Sequence, residues 1–190
     1  MADSMLLRAE ALMPRVAAAV RTGRTSRLVT TGLLLSLACV LGLVESSIAA
    51  PIAGARLGLA NIAIVVALGL LGETPALAIG LLRVGIVGLA TGSLFGPASV
   101  LAFAGALAAW VAMCVALRAR AGFSYVGISV CGAVAHVAAQ YTVAVALTGA
   151  PGILLLAPVS LLTSLLFGIV TGYAARYIIS RLEVSRLSGR

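Results

Sequence analysis

The chain has 190 residues, of which 62% are hydrophobic and 9% charged, with a formal net charge of +8 and a mean hydropathy of +1.20. A soluble domain of this length has too little interior to bury so much apolar surface, so the composition excludes the soluble classes and predicts an integral membrane protein. The positive charge is typical of nucleic-acid binding, but its distribution argues against that function, because the arginines flank apolar segments and no basic patch with interleaved aromatic residues is present.

Six apolar segments follow an arginine-rich N-terminal region. Residues 1–27 are interpreted as a cytoplasmic segment whose apolar spacing is typical of an amphipathic interfacial helix, with a disordered leader as the alternative. The transmembrane domain covers residues 28–182, and a basic cytoplasmic tail follows at 183–190. The segments are Leu28–Ile48, Leu57–Leu71, Pro75–Ala90, Pro97–Leu117, Phe123–Leu147 and Gly152–Leu182. Long apolar runs without strand-like alternation predict an all-α fold, in which six transmembrane helices form a compact bundle.

The distribution of arginine predicts the orientation of this bundle. If the N-terminus is cytoplasmic, eleven of the 13 basic residues lie on that side, before the first segment, between the fourth and fifth, and after the sixth. The opposite side receives only Arg56, and Arg83 falls within a segment. Membrane proteins concentrate arginine on the cytoplasmic side, so both termini are predicted to be cytoplasmic.

Arg83 is the most informative residue, because it interrupts the apolar stretch Ala76–Ala90. A guanidinium at bilayer depth costs at least about 2.5–3.5 kcal/mol and therefore has to face protein, water or an anion. Helical rise places the other polar groups of the spans in the middle or outer half of the bilayer. These groups are Glu45, Asn61, His136 and Gln140.

Two interpretations of this polar set remain open. Arg83 pairs with Glu45 in a closed structural network, or Arg83 and Arg56 meet an anionic ligand in an outward-facing pocket. In the second interpretation, Asn61, His136 and Gln140 hydrogen-bond the ligand. We favour the ligand site because ionisable groups inside membranes mark functional sites.

Signals for catalysis are few. The single histidine excludes a two-histidine metal site, and no acidic cluster of the DDxxD type can hold the magnesium ions of diphosphate chemistry. No nucleotide-binding or nucleophile motif appears. The sequence therefore predicts neither catalytic residues nor a metal site, and it favours a protein that is not an enzyme.

Small residues four positions apart predict close helix packing in a membrane. Gly168 and Gly172 form one such pair in the last segment. Gly32 and Ser36 form another in the first, and we interpret them as the docking surface for a partner helix.

Three sequence blocks resemble the Gx transporter family, often labelled heptaprenyl diphosphate synthase component I. They are Glu45 with RLGLAN at 56–61, Leu82-Arg83 with GSLF at 92–95, and FSYVGIS at 123–129 with GAVAH at 132–136 and Gln140. Arg56 stands where the family usually has lysine, and Val137 stands where it usually has asparagine. The resemblance covers about residues 28–180.

This family is similar to the six-helix substrate-binding S components of energy-coupling-factor transporters. The resemblance implies a subunit of the bacterial cytoplasmic (inner) membrane that captures a small, anionic ligand, vitamin-like or isoprenoid- or flavin-like, with energy from an ATPase partner. The implied ligand-binding residues are Glu45, Arg56, Asn61, Arg83, Ser93, His136 and Gln140.

Two alternatives to this function stay open. One is a membrane subunit of a quinone- or flavin-linked electron-transfer relay, with a redox partner and a flavin or quinone cofactor. The other is an accessory component of polyprenyl diphosphate synthesis.

Overall fold

The structure is a computed structural model that describes residues 24–47, 61–119 and 122–188. All regular secondary structure in these ranges is helical, as the apolar runs predicted. The elements are α1 (Arg24–Ser47), α2 (Asn61–Leu70), α3 (Glu73–Ala90), α4 (Pro97–Arg118), α5 (Tyr125–Thr148), a 3-10 helix (Pro151–Leu156) and α6 (Ala157–Ser188). Most of the predicted interfacial helix within 1–27 and the predicted site residue Arg56 lie outside the described residues.

Local sequence explains where several of these helices begin and end. Pro97 occupies the first turn of α4, where a missing N–H costs nothing. The hydroxyl of Ser124 caps α5 by accepting a hydrogen bond from the Gly127 N–H at 3.2 Å. Gly149 ends α5 in the left-handed conformation, at φ 64°, which an L side chain rarely adopts.

Five helical stretches are long and apolar enough to cross a membrane. They are Thr25–Ser46, Glu73–Ala90, Pro97–Arg118, Tyr125–Thr148 and Pro151–Arg181. The described residues contain six α-helices, and five helical stretches among them have the length and composition of a membrane span. The ten residues of α2 rise about 15 Å, roughly half of the hydrocarbon thickness.

The short helix α2 lies at the centre of the bundle. It packs against α1, α3, α5 and α6, and eight of its ten residues are buried. A helix that is apolar on every side is stable only when protein or lipid surrounds it, and here the other helices supply that cover. The first residue of α2, Asn61, is therefore carried into the interior, with 3% of its surface exposed.

Helix α5 packs closely on α6 through the predicted glycine pair. A Cβ atom added at Gly172 would lie 2.5 Å from Val126 Cα, and one added at Gly168 would lie 3.1 Å from Val130 Cα. Only glycine permits this approach of the two backbones, so the prediction of close packing at this pair is confirmed.

Two buried hydroxyl pairs hold the same interface. Ser129 and Thr171 are hydrogen-bonded at 2.7 Å, and Tyr141 and Ser160 are hydrogen-bonded at 2.7 Å about three turns away. Both pairs join α5 to α6 in one antiparallel register, because each step forward along α5 is matched by a step back along α6. This register fixes the height of every α5 side chain in the bundle.

One end of the bundle gathers the termini of several helices, and we call it the basic end. Arg27, near the start of α1, donates a hydrogen bond to the Leu71 carbonyl at 3.3 Å. Glu73, at the start of α3, forms an ion pair with Arg118 at the end of α4. Gly69 in α2 lies against Tyr125 of α5 and Ile179 of α6. The beginning of α1 and the last turns of α6 therefore lie at the same end.

The outer surfaces of α1 and α6 are apolar and exposed. Leu28 and Leu33 of α1 are 67% and 66% exposed, and Leu162 and Leu166 of α6 are each 63% exposed. Such an apolar exterior is expected where lipid rather than water covers the protein. The fold is that of a multi-pass membrane protein whose helices contact the bilayer.

Candidate functional site: a buried polar layer

The contact between α2 and α3 sets the height of Arg83. Gly80 of α3 faces Ile64 of α2, whose Cδ1 atom would lie 3.5 Å from an added Cβ. The two helices are antiparallel, so a step of three residues away from the basic end leads from Ile64 to Asn61 and from Gly80 to Arg83. Asn61 and Arg83 therefore lie at the same height.

The stem of Arg83 runs along α1. A Cβ atom added at Gly42 would lie 3.8 Å from both Cγ and Cδ of Arg83 and 3.1 Å from Val87 Cγ2. Glycine at position 42 thus leaves space for the aliphatic part of the arginine between α1 and α3. The whole residue is only 6% exposed.

Helix α4 links the height of Arg83 to that of His136. Val84, the neighbour of Arg83, packs against Ala102 and Ala106 of α4. Between these alanines on the same helix, Gly105 faces α5, and a Cβ added there would lie 2.8 Å from both Cε1 and Nε2 of His136. Arg83 and His136 therefore lie at the height of the same turn of α4, on its two neighbouring helices.

Asn61, Arg83 and His136 form what we call the polar layer. Their exposed fractions are 3%, 6% and 6%, so all three side chains are in the interior. Arg83 is ten residues beyond Glu73 and His136 eleven beyond Tyr125, which puts both about 15–17 Å from the basic end. That height is near the middle of a hydrocarbon core about 30 Å thick.

Gln140 lies one helical turn beyond His136 on the same face of α5, away from the basic end. It is 6% exposed, and its neighbour Tyr141 makes the hydroxyl pair with Ser160. Gln140 thus extends the polar layer toward the opposite end of the bundle. The predicted sharing of one face by His136 and Gln140 is present in the structure.

Glu45 is partly buried and lies near the end of α1. Gly42 is at the height of Arg83 and Val87, so Glu45 is about one turn further from the basic end. Glu45, Arg83 and His136 each take part in at least one polar, ionic or ring interaction. A carboxylate is therefore available near the polar layer on the side away from the basic end.

Ser93 lies outside this layer, in the turn between α3 and α4. Its hydroxyl is hydrogen-bonded to the Thr91 hydroxyl at 2.8 Å, and its carbonyl accepts a hydrogen bond from Ser99 at 2.6 Å. It is ten residues beyond Arg83 and about 15 Å higher if the helical rise continues to the turn. In this structure Ser93 stabilises the turn.

The predicted docking residues Gly32 and Ser36 lie on the exposed side of α1. An atom added as Cβ at Gly32 would have no neighbour within 4 Å, in contrast to Gly42 on the packed side. The Ser36 hydroxyl donates a hydrogen bond to the Gly32 carbonyl at 2.9 Å, so its polar group is satisfied within the helix. Gly32 and Ser36 therefore form a patch of two small residues on the exposed side of α1.

Sequence reasoning missed the contribution of α4 to the site. Ala102, Gly105, Ala106 and Ala109 are all buried and make α4 a wall of small side chains beside the layer. The signal in the sequence is the run AGALAA at 104–109, but without the register of α4 and α5 it does not identify which residue faces the histidine.

The described residues contain no group of three or more His, Cys, Asp or Glu side chains that could hold a metal ion. A site made from a guanidinium, an amide and an imidazole is suited instead to an anion, because it offers several N–H donors at a height where water is scarce.

The family model for heptaprenyl diphosphate synthase component I matches residues 34–178. The chain belongs to this family. All the residues of the polar layer fall within the matched range, as do Gln140 and Glu45. The chain matches no curated protein and no solved structure.

Proposed function

We propose that the protein is a membrane subunit that binds a small anionic ligand at the polar layer and transfers it with partner proteins. The observation that carries this proposal is the buried guanidinium of Arg83, at mid-height and level with Asn61 and His136. A structural role alone gives little reason to keep a charge there, because an apolar residue of similar volume avoids the cost of desolvation.

Each group has a defined role in this proposal. Arg83 is the charge anchor, since a guanidinium can present two parallel N–H donors to a phosphate or carboxylate. Asn61, His136 and Gln140 orient the ligand through hydrogen bonds. Glu45, about one turn further from the basic end, accepts hydrogen bonds from an arginine when the site is empty. The incoming anion then replaces Glu45 as the acceptor. Arg56 guides the ligand at the outer mouth.

The orientation follows from the arginines. Among the described residues, Arg83 alone of the arginines is remote from the basic end, where α1 begins and where α4 and α6 end. An arginine-rich end is expected to face the cytoplasm, so both termini are cytoplasmic in this proposal. The ligand then enters from the opposite side, past Glu45 and Gln140, in the cytoplasmic membrane of a bacterium.

A partner protein supplies the energy for transfer and docks on α1. The exposed surface around Gly32 and Ser36 allows a second helix to approach closely, as small residues do in membrane helix pairs. An ATPase-linked membrane partner fits a transport subunit, whereas a redox partner fits the electron-transfer alternative.

The description of the family favours a second candidate function, in polyprenyl diphosphate synthesis. An isoprenoid diphosphate combines an anionic head, suited to Arg83, with an apolar chain that is soluble among membrane helices. In this case the protein binds and presents the diphosphate, and a second component with metal-binding carboxylates carries out the chain elongation.

The test is ligand binding by protein purified in lipid nanodiscs. Native mass spectrometry first identifies a small molecule or partner chain that is retained, and calorimetric titrations then use farnesyl diphosphate and flavin mononucleotide as probes. We expect one probe or the retained molecule to bind the original protein, and Arg83→Ala to reduce its affinity at least about 100-fold, which corresponds to about 2.7 kcal/mol.

The matched control is Arg118→Ala, which removes an arginine from the basic end and should leave the affinity unchanged. Circular dichroism establishes that both variants are folded. Equal affinity of the Arg83→Ala variant and the original protein would refute the anion site. A visible flavin or quinone spectrum would support the redox alternative, and elongated product formed with an added second component would support the synthesis role.

A further inference from the structure

The imidazole of His136 lies close to the backbone of α4 at Gly105, within the polar layer. Three consecutive ring atoms of His136 would lie 2.8 Å (Cε1), 2.8 Å (Nε2) and 3.0 Å (Cδ2) from a Cβ atom at position 105. Carbon atoms without a bond between them do not approach so closely. Even alanine at this position is therefore incompatible with the observed place of the imidazole.

The surroundings limit where the ring can go. His136 is 6% exposed, and the adjacent α4 residues Ala102, Ala106 and Ala109 are buried at 2%, 3% and 0%. A close-packed interior has no empty volume of imidazole size. A methyl group at position 105 therefore displaces the imidazole from its observed place, either by turning the ring or by moving α5 away from α4.

We infer that Gly105 is a positioning residue, which sets the place of the His136 imidazole in the polar layer by leaving out a side chain on α4. The ligand contact assigned to His136 rests on the proposed function, whereas the steric relation between positions 105 and 136 does not depend on it. Gly105 then determines how closely α4 and α5 approach each other and how the imidazole is oriented toward a ligand.

A second glycine of the same interface provides a matched control. Gly132 on α5 faces Met113 of α4, and an added Cβ would lie 2.1 Å from Cε and 2.8 Å from Cγ of that methionine. Methionine has three flexible side-chain torsions, so the whole side chain can rearrange. Gly132→Ala therefore adds the same methyl group between the same two helices but displaces a methionine side chain instead of the imidazole.

The single histidine of the chain makes the test specific, because every imidazole signal in a ¹⁵N-histidine-labelled sample comes from His136. In the purified full-length protein without added ligand, we expect Gly105→Ala to shift the imidazole nitrogen resonances and Gly132→Ala to leave them near their original positions. Unchanged resonances in Gly105→Ala would overturn the inference.

A double variant keeps the test decisive if Gly105→Ala is poorly folded. Replacing the imidazole in Gly105→Ala/His136→Ala removes the clash, so the methyl group should lower the melting temperature much less in the His136→Ala background than in the original protein. An equal decrease in both backgrounds would show that the imidazole is not what Gly105 accommodates, and the inference would be wrong.

Binding measurements separate this inference from the proposed function. With farnesyl diphosphate as the probe, shifted resonances together with weakened binding in Gly105→Ala support both. Shifted resonances with unchanged affinity support the positioning role of Gly105 and contradict the assignment of His136 to the ligand site. Unchanged resonances with weakened binding contradict the positioning role.

Discussion

Two arginines of this protein illustrate two different uses of the same side chain. Arg118 ends α4 at the basic end, where its side chain is 72% exposed and forms an ion pair with Glu73. Arg83 lies in the polar layer, where it is 6% exposed and its stem packs against the backbone of α1 at Gly42. The first arginine is solvated at an end of the bundle, and the second is held at mid-height among apolar helices.

The difference between them is energetic. Ion pairs between exposed groups contribute little to stability, because water and salt screen them. A guanidinium at bilayer depth carries a desolvation cost of at least about 2.5–3.5 kcal/mol, which the fold has to offset elsewhere. Changes at the basic end should therefore alter local packing, and changes in the polar layer should alter ligand binding. The following predictions test this contrast.

The largest effect is expected from a carboxylate at the height of Arg83. Asn61→Asp places an acceptor of negative charge level with the guanidinium, where it competes with an incoming anion. We expect the affinity for the ligand identified by native mass spectrometry to fall about 10- to 100-fold, since hydrogen bonds to charged groups are worth about 1.5–3 kcal/mol. Asn61→Ala, which only removes the amide, should weaken calorimetric binding less. Tight binding by Asn61→Asp would contradict a shared anion site.

A smaller effect is expected when position 83 keeps a positive charge but loses the planar guanidinium group. Arg83→Lys should weaken binding of the same ligand about tenfold, because lysine offers a point charge in place of two parallel donors. Arg118→Lys is the matched change at the basic end and should bind as the original protein does. If the two lysine variants have the same affinity, the geometry of the guanidinium is unimportant.

At the basic end, Trp110 should contribute to stability and not to binding. Its indole Nε1 donates a hydrogen bond to the Glu73 carbonyl at 2.9 Å and so ties α4 to the start of α3. Trp110→Phe should lower the free energy of unfolding by about 1 kcal/mol, a shift of roughly 2–4 °C in melting temperature. Its ligand affinity should remain that of the original protein, and a loss of binding would show that the two regions are coupled.

The smallest effect is expected for the exposed ion pair. Glu73→Gln removes the negative charge opposite Arg118 and keeps a similar shape. Thermal melts at low and high salt should differ from those of the original protein by no more than repeated measurements do. A clear, salt-sensitive decrease would mean that the pair at the basic end is less screened than its exposure indicates.

The sequence predicted the helical part of the fold closely. Predicted segments such as Pro97–Leu117 differ from the helices by only a few residues at the ends, because apolar length, proline and glycine act locally. The sixth segment differs in detail, since the 3-10 helix Pro151–Leu156 precedes α6. The orientation in the membrane and the segments outside the described ranges remain predictions.

The site was predicted only in part. Arg83, Asn61, His136 and Gln140 stood out because polar groups in apolar runs are costly, and all four are buried. Their ligand-binding roles remain proposals. Gly105 gave no such signal, because a glycine in an alanine-rich apolar run is not costly to bury in a membrane. Its role becomes visible only in the structure, where it faces the imidazole of His136. The pairing of Glu73 with Arg118 was also missed, since it joins residues 45 positions apart.

By itself, the sequence determined that this chain is helical, is embedded in a membrane and contains a buried arginine. Composition and local spacing are enough for this, because in lipid they decide how the backbone N–H and C=O groups form hydrogen bonds. Only the tertiary structure decided that the short second helix occupies the centre, that Asn61, Arg83 and His136 lie at one height, and that His136 faces Gly105. Those relations depend on the register between helices, which is set by the side chains that fit where two backbones approach and which no single segment encodes.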